Sequence, residues 1–123
     1  MGVAPREASE ERGEPGLSDP KKGVDRMRTF IVLGSFTDQG RRAIKSSPKR
    51  LDAARKVLER IGGKLTGFYL TMGPHDFVAV IQAKSDELVV KYVLALAARG
   101  DVKTTTLKAF PEDEYRQLIA GTD

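Results

Sequence analysis

Two short runs of this chain, Thr29-Phe30-Ile31-Val32-Leu33 and Phe77-Val78-Ala79-Val80-Ile81, are apolar at almost every position. A strand with one face in water alternates apolar and polar residues. A run without alternation reads as a strand buried on both faces. Two such strands belong at the centre of one sheet, and each face of that sheet then needs cover.

The segments around these runs supply part of the cover. Thr37 or Asp38 can cap a first short helical turn through Ile44. Ser47-Pro48 reads as a cap followed by proline in the first helical turn, where its missing N–H costs nothing. Leu51, Ala54, Val57, Leu58 and Ile61 then recur at spacings of three and four, one face of a helix that Gly62-Gly63 closes. Lys64 to Thr71 alternates less cleanly and reads as an outer strand, with Met72-Gly73-Pro74-His75 as the turn that follows. Ser85 or Asp86 opens a second helix carrying Leu88, Val89, Tyr92, Val93 and Leu96, and Gly100 ends it. Val102 to Ala109 is a threonine-rich strand. Pro111 opens a terminal helix through Ile119, with Glu112, Asp113 and Glu114 at its positive end.

The order is β-α-β-β-α-β plus a C-terminal helix, an α+β, ferredoxin-like plan with a four-stranded antiparallel sheet and its helices on one face. In that plan the first and third strands are central, and these are the two runs apolar throughout. Phe30, Val32, Phe77, Ala79 and Ile81 point to one side, Ile31, Leu33, Val78 and Val80 to the other. Two helices cover only one side. The simplest cover for the other is a second copy, so a homodimer or higher homo-oligomer is expected.

Residues 1–26 hold three of the six prolines, four of the twelve glycines and almost no large apolar residue except Leu17. Such a stretch buries too little surface to offset its ordering entropy, so a disordered tail is expected, with the folded domain at 27–123. The chain has no cysteine and one histidine, His75, which excludes thiolate chemistry and any site needing two imidazoles from one chain. No stretch approaches the roughly 18 apolar residues of a membrane span, and no apolar leader precedes the domain. The expectation is a cytoplasmic protein without metal or cofactor.

The net charge of +4 is uneven: residues 1–26 carry −1, and between Arg41 and Arg60 eight Lys or Arg face only Asp52 and Glu59. Such an excess favours anionic partners or marks a solvated helix face. Ser47, Lys49 and Arg50 bring a hydroxyl and cations to a helix start, a weak candidate anion site; capping alone also explains the Ser–Pro pair. Tyr69, Thr71, His75, Asp76 and Thr105 could ring a pocket between sheet and helices, where a few convergent polar groups usually form a small-molecule site. For His75-Asp76 the bland reading is a turn in which Asp76 bonds backbone N–H groups, and for Thr105 an edge strand that favours threonine anyway.

Phe36-Thr37-Asp38-Gln39-Gly40, Ser47-Pro48-Lys49-Arg50, Phe68-Tyr69-Leu70-Thr71-Met72-Gly73, Asp76-Phe77-Val78 and Thr104-Thr105-Thr106-Leu107-Lys108-Ala109-Phe110 occur in that order. From Met27 to about Ala120 the chain resembles the GYD-domain family. Its Gly–Tyr–Asp signature is matched at Gly73 and Asp76, with His75 at the tyrosine position. The resemblance implies a ferredoxin-like fold of the dimeric α/β-barrel type. Related barrels include cofactor-free oxygenases and decarboxylating enzymes, so it leaves an enzyme with a small anionic or polar ligand open beside a non-catalytic regulatory or assembly module. RNA binding on the same β-α-β-β-α-β plan is disfavoured. Phe77-Val78 echoes the RRM, but the Lys/Arg–Gly lead-in and second aromatic are missing.

Overall fold

The computed structural model describes residues 27–122, so the tail expected over 1–26 lies outside the described residues. Arg28–Ala109 forms one compact unit. It runs β1 (Arg28–Phe36), α1 (Asp38–Arg42), a 3-10 turn (Ile44–Ser46), α2 (Ser47–Arg60), β2 (Lys64–Leu70), β3 (Phe77–Ala83), α3 (Asp86–Arg99) and β4 (Val102–Ala109). The strands form one antiparallel sheet in the order β2-β3-β1-β4. This is the ferredoxin-like α+β plan, with the two all-apolar strands at its centre.

The register fixes which side chains share a face. Phe30 lies opposite Ile81 and Val32 opposite Ala79, while Ile31 faces Val80 and Leu33 faces Val78. The first set is buried and joins Leu58 of α2 and Val89 and Tyr92 of α3 in one core. The second set is only half-buried, and Leu107 and Tyr69 on the same face are 45% and 62% exposed. One close approach ties the core to the backbone: a Cβ on Gly34 would come within 2.0 Å of the Phe77 ring. That ring lies over the glycine and stacks on Phe68, with centroids 5.3 Å apart.

Local chemistry sets most element ends where the sequence places them. Thr37 is extended and accepts from the Gly40 N–H, capping α1. Ser85 accepts from the Leu88 N–H at 3.2 Å, and Gly100 ends α3 at φ 83°. The start of α2 differs from expectation. Ser46 is the residue before the helix, Ser47 and Pro48 are its first two residues, and no side chain caps it. The preceding 3-10 turn delivers the chain already coiled, with Ser46 at φ −93° and ψ 1°, so no extended residue is left to act as a cap.

Phe110 onward belongs to a separate unit. It holds α4 (Glu112–Ala120), entered from Pro111, with Glu112 and Arg116 paired at 2.7 Å one turn apart. Among the described residues no helix is long and apolar enough to cross a membrane.

Candidate functional site

Within Arg28–Ala109 a cavity of about 320 Å³ opens between the helix-covered sheet face, α2 and α3. Val32, Phe77, Ala79 and Ile81 form its floor, with Phe36, Phe68 and Leu70 toward one end. Pro48, Leu51 and Ala54 line it from α2, Tyr92 and Leu96 from α3. At one corner lie Ser47 and Arg50 at the start of α2, Arg99 at the end of α3 and Asp101 just after; Thr104 in β4 and Tyr92 in α3 are further polar lining residues. The volume sits at the small end of the roughly 300–1,000 Å³ of small-molecule sites.

Arg50 organises that corner. Its Nη1 donates to the Ala43 carbonyl at 3.0 Å and to Ser46 Oγ. Its Nε faces Asp101 Oδ2 at 3.6 Å, an ion pair beyond hydrogen-bond reach. Its Nη2 is buried and has no hydrogen-bond partner among the described residues. The Arg50 and Asp101 side chains are only 25% and 18% exposed, so their charges are screened less than those of surface pairs.

The Phe36–Gly40 motif is the frame of this corner. The Thr37 N–H donates to the Asp101 carbonyl at 3.0 Å, and Thr37 Oγ1 donates to the Gly100 carbonyl. Gln39 Nε2 donates to the Arg99 carbonyl and to Asp101 Oδ1, both at 3.0 Å. Gly40 has no room for a side chain, since a Cβ there would stand 2.2 Å from the Asp101 carbonyl oxygen. Three residue types the sequence supplies in order thus clamp the end of α3 against the end of β1. At the cavity wall Tyr92 donates its hydroxyl to the Ala54 carbonyl at 2.9 Å, joining the two helices. Burial pushes its phenol above the ordinary value of 10.0, against the opposing pull of the Arg99 and Arg55 charges.

The candidate residues fall in four places. Ser47 and Arg50 line the cavity, and Lys49 is exposed outside it. Tyr69 and Thr105 lie on the opposite sheet face, paired in register with Val78 and Leu33. The pocket expected to gather them between sheet and helices is therefore lined by their neighbours instead, because one step along a strand reverses the face: Phe68, Leu70 and Thr104. Thr71, His75 and Asp76 form the β2–β3 turn. The Thr71 N–H donates to the Asp76 carbonyl at 2.8 Å, and Thr71 Oγ1 to the His75 carbonyl at 2.7 Å. Asp76 Oδ2 accepts from the Phe36 N–H at 2.9 Å, the backbone role its residue type suggests. The half-buried His75 does not line the cavity. Arg99, Asp101 and Tyr92 are lining groups that sequence reasoning missed. For Arg99 and Tyr92 the signal was spacing: Tyr92, Leu96 and Arg99 follow one helical stripe, as Arg50, Ala54 and Leu58 do, so a cation sits at the end of an apolar row, whereas Asp101 lies outside both helices.

A family model described as "GYD domain" matches residues 30–119. A relative from Thermus thermophilus, named "Glutamine synthetase and cystathionine beta-lyase binding protein", is 42% identical over 86 residues, covering 69% of this chain and 90% of the relative. The crystal structure of MtbAldR shares the fold, with a TM-score of 0.55 and 19% identity. That match covers 77% of this chain but only 61% of the other, and it speaks to the fold alone.

Proposed function

Because the chain belongs to the GYD domain family, we propose that it is a self-associating cytoplasmic binding module that docks onto amino-acid-handling enzymes. The observation that carries this reading is the second sheet face. Ile31, Leu33, Val78 and Val80 form an apolar strip that α2 and α3 do not cover, flanked by Leu107 and Tyr69. A strip of this kind along central strands suits a two-fold partner, since each residue meets its own counterpart or a neighbour. Tyr69 and Thr105 stand on that face and become candidates for the interface. The relative named as a binding protein for two enzymes supports the second half of the proposal, the enzyme partner.

Sedimentation of the purified chain, alone and with glutamine synthetase and cystathionine beta-lyase from its own organism, tests both halves. The expected results are a dimer or larger species at micromolar concentration and co-migration with at least one enzyme. A single 13.5 kDa species overturns self-association, and independent migration from both enzymes overturns the docking reading.

A second reading stands beside the first: the module carries a small-molecule site. The cavity between α2, α3 and the sheet favours it, since a core of this size ordinarily closes to near-crystalline packing.

A further inference from the structure

We propose that the cavity binds a small monoanionic carboxylate with an apolar body, held by Arg50 in a charge-assisted fork. The inference rests on the small-molecule reading of the cavity and names the ligand class. The walls are apolar apart from the Arg50 corner, Thr104 and the Tyr92 hydroxyl, which already donates to the Ala54 carbonyl, so the body of the ligand must be mostly apolar too. Size sets a limit: about 320 Å³ accommodates a short branched or aromatic chain, because a site at this end of the range does not enclose a drug-sized molecule.

Charge decides the head group. The corner carries the cations Arg50 and Arg99 and the anion Asp101, a net of +1 that complements one negative charge. A phosphate dianion would meet Asp101 with excess charge. Geometry agrees with the charge. Nε and Nη2 form one edge of the guanidinium, and a carboxylate fits such an edge with two parallel hydrogen bonds. Asp101 fails to fill this edge: its Oδ2 stays 3.6 Å from Nε, held back by the Gln39 amide on Oδ1. Nη2 is buried without a partner among the described residues, and a buried donor left unsatisfied is costly enough to call for explanation. A carboxylate at the corner would supply its acceptor once the contacts that close over Nη2 part. The other donor, Nη1, is already committed to Ala43 and Ser46, which fixes the guanidinium plane before any ligand arrives.

Calorimetric titration with 3-phenylpropanoate, its neutral analogue 3-phenylpropanamide and inorganic phosphate tests the proposal on the full chain. Binding of 3-phenylpropanoate is expected, with the amide and phosphate each weaker by about tenfold or more, the usual weight of a charge-assisted bond. Arg50→Gln should weaken 3-phenylpropanoate binding by about tenfold or more and leave the amide unaffected. Leu96→Trp, which fills the chamber from α3, should abolish binding of both organic probes, and it keeps the test decisive if Arg50→Gln does not fold. Equal affinity for acid and amide, or an acid affinity unmoved by Arg50→Gln, overturns the carboxylate while the small-molecule site stands. Failure of both organic probes to bind the wild type overturns the carboxylate inference and counts against the site itself.

Discussion

The two faces of the central strands carry nearly the same side chains and end up in different circumstances. Phe30, Val32 and Ile81 on the helix side are 4%, 4% and 1% exposed, whereas Ile31, Leu33, Val78 and Val80 on the other side are half-buried. Apolar composition therefore does not distinguish the faces; what lies against them does. On one side the chain supplies its own cover from α2 and α3. On the other it presents a surface that pleated geometry makes as apolar as the core.

Adjacent positions in β3 offer the sharpest way to break that comparison. Ile81→Lys puts an unpaired charge among Leu58, Val89 and Tyr92, and it should unfold the domain, costing well above the roughly 2–5 kcal/mol of a large-to-small core change. Far-UV circular dichroism and the urea midpoint would report it. A well-folded Ile81→Lys protein would mean that the helix side is less tightly closed than its burial indicates. Val80→Lys, one residue away, should preserve the fold and shift the sedimentation profile to monomer. A buried unpaired charge at an interface costs several kcal/mol, roughly 3–5 by analogy with broken buried pairs. An unchanged oligomer would show that the second face is not where copies meet.

How much of this was legible beforehand follows from what each signal measures. Period-two and period-3.6 patterns report burial, so the strands, helices, sheet order and division of faces could be read from Phe30–Leu33, Phe77–Ile81 and Leu51–Ile61. The register of β2 and β4 was harder. Tyr69 and Thr105 stand one step along their strands from the lining residues Phe68 and Thr104, and one step reverses the face. Nothing in the local pattern of Val102–Ala109 settles it, because threonine suits either side of an edge strand. The corner of the cavity was less legible still. Arg50, Gln39 and Asp101 meet only through tertiary contacts that span Thr37 to Asp101, and no spacing rule encodes those.

The frame of that corner gives a smaller effect. Thr37→Ala removes the cap on Gly40 and the bond to the Gly100 carbonyl. A loss of about 1–2 kcal/mol is expected by chemical denaturation, as for other threonine caps. Val80→Lys should leave this value unchanged, since the two sites lie on different sides of the sheet and share no partner. A cost below a few tenths of a kcal/mol would mean that the loop is held by Gln39 and the close approach of Gly40 alone.

Tyr92 covers the helix side and adds a pH dependence there. Its raised phenol means that the unfolded chain releases the proton first. Stability from this group is therefore complete below its ordinary value of 10.0 and is lost as pH rises through the folded value. Tyr92→Phe should cost about 0.5–1.5 kcal/mol at neutral pH by losing the bond to Ala54. It should also fall less steeply than wild type in alkali. Parallel alkaline curves for the two proteins would remove Tyr92 as the cause.

The smallest effect is expected at a residue that belongs to neither face. His75 sits in the β2–β3 turn, and what the turn uses from it is the backbone carbonyl, which accepts from Thr71 Oγ1. Any residue supplies that carbonyl. Its neighbour Asp76 is different, because its carboxylate satisfies the Phe36 N–H at the end of β1. Asp76→Ala should therefore cost about 1–3 kcal/mol, the usual penalty for stranding a buried donor, while His75→Tyr and His75→Leu should leave the urea midpoint within error. The same two His75 variants should bind 3-phenylpropanoate as wild type does, since the imidazole is not among the groups lining the cavity. A change in affinity with His75→Leu, at unchanged stability, would move the ligand out of the Arg50 chamber and toward the turn.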